Sequence, residues 1–213
     1  MARMISEQEV RRYCRFCKPP DNDRVVYQTD NFYVMLSLGP IVEGYLLIIS
    51  KEHYECCAGL PTTRFKEFFT LLYKVKYILR KEYGSVILYE HGRSGCLQDH
   101  SSGTHCFHAH LHCVPVNIDL GKIVQNDFEY LPIADWEELR QLHQKQCLRY
   151  LFIEVQDVKK VFPIFQPIRS QYLRFKLASA LNMEKTSDWL RFPQWRKIAR
   201  GRKRLLPHFQ TFG

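Results

Sequence analysis

The stretch FHAHLHCVPV, residues 107–116, carries a histidine at every second position and constrains the fold of this chain most. Its histidines are His108, His110 and His112, and an apolar residue stands between each pair. Alternation with a period of two predicts a β-strand that presents all three imidazoles on one face. Side chains on one face of a strand lie roughly 6.6 Å apart, so three imidazoles can surround one small charged ligand. A row of surface or core histidines without a function is the simpler alternative.

The segment HAHLHCV resembles the motif of the histidine-triad (HIT) superfamily, His-φ-His-φ-His-φ-φ, in which φ is hydrophobic. Members hydrolyse or transfer nucleotidyl groups through a covalent nucleotidyl-histidine. The resemblance implies an α+β fold, with a HIT-like antiparallel sheet packed by a long helix. It also implies that His110 is the nucleophile and that His112 and His108 donate hydrogen bonds to phosphate oxygens or the leaving group. Histidine rather than glutamine at position 112 is similar to the hydrolase branches.

A C-x-x-C sequence, formed by Cys14 and Cys17, lies near the N-terminus. Its two-residue spacing suits two thiolates on one tetrahedral ion, and it is also the spacing of redox pairs. The run that follows predicts two antiparallel strands, at about 24–29 and 32–38, with a turn at Asp30 and Asn31. A thioredoxin-like redox motif would be followed by a βαβ unit, so the redox interpretation is weakened.

An apolar strand is predicted at about 45–49, and it leads to His53. The segment resembles Gly-His-φ-φ-φ-φ-Pro-Lys-x-His of the superfamily, with Tyr45 and Ser50 in place of the usual His and Pro. In zinc-containing branches the corresponding residues hold one ion. The resemblance therefore implies a structural zinc bound by Cys14, Cys17, His53 and His108. The alternative is that the two cysteines are small core residues and that His53 only ends a strand.

The middle of the chain predicts one long helix at 62–83, from apolar residues at helical spacing followed by Gly84, and a strand at 85–92. The Gly- and Ser-rich segment after that strand is suited to binding phosphate, because glycines allow close approach of backbone amides. By rough alignment with the superfamily, Ser37 is a ribose contact. His91 and His100 are secondary candidates. The candidate phosphate contacts in the loop are Gly103, Thr104 and His105.

We predict a HIT-like catalytic core at residues 1–118 and an α/β C-terminal extension at 119–213 that packs on it. The extension contains a predicted helix at 135–145, a strand at 147–157 and a helix at 171–182. Its last helix resembles a Ser-Gln-φ-φ-Arg start found in some bacterial HIT proteins, which implies an active-site contribution from Gln171 or Arg174.

Positive charge is segregated at the C-terminus. Residues 169–213 hold eleven Lys or Arg against two acidic residues, and this excess of nine equals the net charge of the whole chain. A basic end, including Arg200, Arg202, Lys203 and Arg204, indicates either contact with a polyanion such as nucleic acid or a solvated tail.

Export and membrane insertion are not indicated. No apolar run approaches the roughly 20 residues that span a bilayer, and the N-terminus lacks a signal-peptide core. The eight cysteines are irregularly placed, which favours reduced thiols and one metal site over disulfides. We therefore expect a cytoplasmic protein without a membrane partner.

The function predicted from the sequence is a hydrolase that cleaves a nucleoside phosphoramidate, a dinucleoside polyphosphate or a related nucleotide conjugate. The alternatives are a nucleotidyltransferase or phosphorylase, a hydrolase that removes adenylate from nucleic-acid ends, and a non-catalytic nucleotide-binding protein. A small nucleotide is the expected substrate, and a nucleic acid and a second copy of the chain are candidate partners.

Overall fold

Eight strands form one antiparallel sheet in the computed structural model of the chain, which describes residues 14–17, 22–93, 107–146 and 148–211. The order across the sheet is β1-β2-β3-β5-β4-β7-β8-β6. The α+β class with an antiparallel sheet is therefore confirmed. The strands are β1 (Val25–Gln28), β2 (Phe32–Leu36), β3 (Leu46–Ser50), β4 (Ile87–Gly92), β5 (His110–Val114), β6 (Leu131–Ile133), β7 (Tyr150–Val155) and β8 (Val158–Pro163).

Five α-helices cover the two faces of this sheet in the described part of the chain. They are α1 (Thr62–Tyr83), α2 (Leu120–Val124), α3 (Trp136–Gln146), α4 (Tyr172–Ala180) and α5 (Trp195–Gln210), with short 3-10 segments at Asn22–Arg24, Cys57–Gly59 and Glu184–Ser187. Helices α1, α3 and α5 pack on one face, and α2 and α4 pack on the other. Strands β2 and β3 are buried on both faces, which explains why they read as continuous apolar runs.

Helix α1 has the bounds that the sequence predicts. Seven of its apolar residues, among them Phe65, Phe68 and Val75, are buried against the sheet, and it ends at Gly84, whose φ of 84° is readily adopted by glycine. Two basic residues on its outer side, Lys76 and Arg80, contact Asp157 in the turn between β7 and β8, at 2.6 and 3.0 Å. The helix is thereby tied to the C-terminal part of the sheet.

The C-terminal strands continue the sheet of the histidine strand. Strand β7 pairs with β4 from Ile87↔Val155 to Gly92↔Tyr150, and β8 and β6 follow outward. The strand predicted at 147–157 is the shorter β7, and β6 and β8 were not predicted. The turn at Gln156 and Asp157 has φ values of 50° and 66°, as tight hairpins between twisted strands require. The division of the chain at residue 118 stays a prediction.

Helix α5 was also not predicted, because the sequence was interpreted there only for its charge. Its buried residues are Ile198, Gly201, Leu205 and Phe209, and their spacing forms one apolar stripe. Arg200 and Arg204 point away from this stripe and bind Glu43 and Glu82 at 2.8 and 2.7 Å. Part of the basic cluster is therefore paired within the chain. Among the described helices, none combines the length and apolar character needed to cross a membrane.

Candidate active site and metal centre

Four residues from three parts of the chain lie together beside the N-terminal end of the histidine strand β5. They are Cys14, Cys17, His53 and His108, called here the four-ligand cluster. Their ligand atoms all lie within 4.8 Å of one another. The Nδ1 atoms of the two histidines are 3.2 Å apart, and three sulfur–nitrogen distances are 3.2, 3.4 and 3.6 Å.

These distances fit a tetrahedral ion. With Zn–N bonds of about 2.0–2.1 Å and Zn–S bonds of about 2.3 Å, nitrogen ligands are roughly 3.3 Å apart and nitrogen–sulfur pairs roughly 3.6 Å apart. Two thiolates and two imidazoles are also the donors of closed structural zinc sites. The cluster therefore has both the composition and the spacing that zinc requires.

His108 is oriented for this role by Ser50. The Nε2–H group of His108 donates to the Ser50 carbonyl at 2.7 Å, which leaves the lone pair on Nδ1, the atom that faces the thiols. Ser50 donates its own N–H to the Ala109 carbonyl at 3.2 Å, a bond that a proline could not make. The departure from the usual proline thus adds a backbone contact beside the cluster.

The predicted row of three histidines on one strand is wrong at its first member. Strand β5 begins at His110, and His108 precedes it as a buried residue of the four-ligand cluster. Both ring nitrogens of His108 have partners, so its predicted contribution as a catalytic donor gains no support from the geometry.

His110 and His112 lie on the face of the sheet opposite α1. In register they pair with Ile49 and Leu47 of β3, and His112 also pairs with Tyr89 of β4. Their ring centroids are 4.8 Å apart. The two imidazoles can therefore act on the same small group.

The Nδ1–H group of His110 donates to the His108 carbonyl at 2.5 Å. The lone pair of the ring is therefore on Nε2. Burial lowers the pKa of His110 to about 4, so the ring is neutral near pH 7. Phe16, between the two cysteines, packs 4.8 Å from the His110 ring, and its carbonyl accepts from the Tyr33 hydroxyl at 2.8 Å. The turn that supplies two residues of the four-ligand cluster thus also packs on His110.

His112 is surrounded by two tyrosines. Its Nδ1 lies 2.7 Å from the Tyr45 hydroxyl, which in turn contacts the Tyr89 hydroxyl. The Tyr89 ring stacks on His112 with centroids 4.4 Å apart and planes 12° from parallel. Burial, together with the nearby His110, His91 and Arg174, holds the pKa of His112 well below its usual range.

The sequence did not identify the two tyrosines as part of the site. Tyr45 was noted only as a departure from the usual histidine, and Tyr89 lies unnamed within the strand predicted at 85–92. They could have been found from the alternation of side chains between the two faces of a strand. Tyr89 shares its face with His91, and Tyr45 precedes the β3 residue Leu47 by two positions, on the His112 side of the sheet.

Helix α4 reaches the same region through His91. The Leu173 N–H group donates to His91 Nε2 at 3.1 Å, and the His91 ring centroid is 6.4 Å from that of His112. Arg174 has a supporting position. It is buried and donates to the carbonyls of Gly39, Thr186 and Ser187. The residue therefore joins α4 to the loop after β2, and Gln171 lies at the N-terminal boundary of the helix.

The remaining predicted residues are not brought to the histidines by any described contact. Ser37 is buried, donates its hydroxyl to the Leu38 carbonyl at 3.3 Å and its N–H to the Tyr45 carbonyl at 2.9 Å. Gly103, Thr104 and His105, and the secondary candidate His100, lie outside the described residues. The nucleotide contacts assigned to these positions stay predictions.

Comparison with known protein families agrees with the motif. The family model described as HIT domain matches residues 19–117, a range that contains β1 to β5, His53 and the whole triad. The chain contains a HIT domain.

Three similar proteins cover between 48% and 63% of this chain. An uncharacterised HIT-like protein of Methanocaldococcus jannaschii is 26% identical over 117 residues, which are 53% of this chain and 85% of the relative. A hypothetical histidine triad nucleotide-binding protein from Sulfolobus tokodaii is 22% identical, with a TM-score of 0.38, and covers 48% of this chain and 68% of its own. A Zn-bound histidine triad family protein from Mycobacterium smegmatis is 19% identical, with a TM-score of 0.37, and covers 63% and 93%.

Proposed function

We propose that this HIT protein hydrolyses a nucleotide conjugate, such as a nucleoside phosphoramidate or a dinucleoside polyphosphate, through a nucleotidyl-His110 intermediate. The observation that carries the proposal is the hydrogen bond from His110 Nδ1 to the His108 carbonyl. It fixes the tautomer in which Nε2 has the lone pair that a nucleophile needs. The low pKa of His110 keeps that lone pair free of a proton at neutral pH.

In the first step, His110 Nε2 attacks the α-phosphorus, and an N–P bond forms while the bond to the leaving group breaks. The leaving group departs with the electron pair, accepts a hydrogen bond from His112, whose ring lies 4.8 Å from that of His110, and takes its proton from solvent water, which leaves hydroxide. In the second step that hydroxide attacks the phosphorus and the N–P bond breaks. The nucleoside monophosphate is released, and both imidazoles are in their starting protonation.

The four-ligand cluster is proposed to hold a structural zinc ion. A closed Cys2His2 site supplies folding free energy when the ion is bound. His108 then belongs to the ligand set, and its carbonyl orients His110. The cluster would therefore act on catalysis by fixing the backbone of residue 108 and the turn that carries Phe16.

The transferase, the deadenylating hydrolase and the non-catalytic binding protein remain alternatives. Pairing of Arg200 and Arg204 with carboxylates of the body removes part of the charge that suggested a nucleic-acid partner. None of the described contacts favours one alternative over the proposed hydrolase.

Trapping of the intermediate tests the proposal. A substrate labelled at the α-phosphorus, such as an adenosine phosphoramidate or a dinucleoside polyphosphate, should leave label on the protein after a rapid quench, and His110→Ala should remove both the label and turnover. His143→Ala is the matched control, because the Nδ1 of His143 also bonds a backbone carbonyl, that of Leu148 at 3.0 Å, but lies on α3 away from the triad. A His110→Ala protein that retained even a tenth of the wild-type kcat would remove His110 as the nucleophile.

A further inference from the structure

The proposed mechanism requires that His112 donate a hydrogen bond from the ring nitrogen that faces the substrate. Two tyrosines next to the ring, Tyr45 and Tyr89, determine which nitrogen has the proton. The Tyr45 hydroxyl lies 2.7 Å from His112 Nδ1 and also contacts the Tyr89 hydroxyl. Tyr45 and Tyr89 are fully buried. The three side chains form a hydrogen-bonded series, from Tyr89 of β4 through Tyr45, just before β3, to His112 of β5.

Both phenols keep their protons at neutral pH. Burial raises the pKa of Tyr45 to about 12, against the opposing effect of the nearby Arg174, and burial also raises the pKa of Tyr89 well above its usual value. His112 is neutral because burial lowers its pKa. The three side chains therefore have a fixed number of protons, and only the donor and acceptor of each hydrogen bond remain to be assigned.

One direction leaves a buried proton without an acceptor. If His112 Nδ1 carried the proton, it would donate to Tyr45, and Tyr45 would donate to Tyr89. The Tyr89 proton would then have no acceptor among the described residues, at a site sealed from water. In the opposite direction Tyr89 donates to Tyr45 and Tyr45 donates to His112 Nδ1, so every proton is paired. Buried donors without partners are costly, which selects the second direction.

We propose that Tyr45, supported by Tyr89, is a positioning residue that fixes the tautomer of His112 with its proton on Nε2. This inference rests on the proposed hydrolase function. His110 and His112 then have opposite tautomers, one set by the His108 carbonyl and the other by the Tyr45 hydroxyl. His110 has its proton on Nδ1 and a lone pair on Nε2, whereas His112 accepts at Nδ1 and donates at Nε2. Adjacent imidazoles thereby become one nucleophile and one hydrogen-bond donor.

The C-terminal extension contributes to this arrangement. The Arg174 guanidinium lies 5.6 Å from the centroid of the Tyr45 ring and is held by three backbone carbonyls. Its fixed positive charge disfavours a second positive charge on His112. Stacking of Tyr89 on His112 prevents the ring from turning away from the Tyr45 hydroxyl.

The tautomer can be measured directly in Tyr45→Phe, which removes the hydroxyl and keeps the ring. In long-range proton–nitrogen spectra of imidazole-labelled full-length protein, wild-type His112 should have a bare Nδ1 and a protonated Nε2, with the signals assigned from His112→Gln. In Tyr45→Phe the two tautomers should both be populated. A protonated Nδ1 in the wild type, or an unchanged spectrum in Tyr45→Phe, would overturn the inference.

Kinetics provide the second measurement. With a substrate whose leaving group is strongly basic, Tyr45→Phe should lower kcat about tenfold, the value of one net hydrogen bond, and change KM little. With a weakly basic leaving group, which gains less from a hydrogen bond, the loss should be smaller. Equal losses for both leaving groups would contradict the inference.

Tyr150→Phe is the matched control. Tyr150 is also fully buried, but its hydroxyl donates to Glu90 at 2.6 Å on the other face of the sheet. This variant should lose thermal stability without a change in the His112 tautomer or in the leaving-group dependence. The spectra need no turnover, so an inactive wild type with a bare His112 Nδ1 would refute the hydrolase and still support the role of Tyr45.

Discussion

Replacing one thiolate of the four-ligand cluster, by Cys17→Ser, should release the ion and destabilise the fold. Cys17 Sγ lies 3.2 Å from His53 Nδ1 and 3.6 Å from His108 Nδ1, the edge lengths of a tetrahedral site. A serine hydroxyl is a poor zinc ligand because it is not ionised at neutral pH. Three ligands remain, and the site is no longer closed.

The size of the effect follows from burial. Cys14 is 7% exposed and His108 is 1% exposed, so loss of the ion deprives two buried polar groups of the partner that their geometry fits. At about 1–3 kcal/mol for each such group, the free energy of unfolding should fall by about 2–6 kcal/mol. For a chain of this size each kcal/mol lowers Tm by about 2–4 °C, so the expected decrease is about 4–24 °C.

Metal analysis and thermal melts measure the two effects separately. Wild-type protein should contain about one zinc per chain, and a chelator should lower its Tm towards that of Cys17→Ser. Cys113→Ala removes a fully buried thiol outside the cluster and should leave the zinc content unchanged. Metal-free wild-type protein whose melting and activity do not respond to zinc would refute the assignment.

Two further predictions concern the nucleophile and the last helix. The proposed nucleophile is the neutral His110 ring, whose pKa burial lowers to about 4, so kcat/KM measured at constant ionic strength should stay level from pH 8 to about 5 and fall only near pH 4 and below. A decline centred near pH 6.5 would contradict the proposal. Phe209→Ala should lower the unfolding free energy in urea by about 3–5 kcal/mol, whereas Phe165→Ala, at an 86% exposed site, should change it by less than about 0.5 kcal/mol. Equal effects of the two changes would mean that α5 is not docked.

The sequence predicted those features whose signal is local. The alternation at 107–116 gave the strand that carries His110 and His112, and helical spacing gave α1. The alternation did not give the first residue of that strand, because the buried contacts of His108 with Ser50 and the thiols override the period-two pattern. Convergence of Cys14, Cys17, His53 and His108 was expected from resemblance, since residues up to 94 positions apart cannot be joined by spacing alone.

Two features were not predicted from the sequence: helix α5 and the contact between Tyr45 and His112. Helix α5 has a regular apolar stripe, but its many basic residues were interpreted as a solvated tail or a surface that contacts a polyanion. The Tyr45–His112 contact joins positions 67 residues apart through the pairing of β3 with β5. Such a contact becomes predictable only once strand order and register are known.

The pairing of β4 with β7 affects whether the N-terminal part of the chain would stay monomeric without the C-terminal extension. Strand β4 is hydrogen-bonded to β7 along all six of its residues and to β5 along three. A protein shortened to residues 1–118 would expose this whole edge, together with the apolar side chains that α4 now covers. Unprotected edges of this kind pair with other chains. We therefore expect the shortened protein to self-associate or aggregate, so that enzymatic studies of the triad need the full chain.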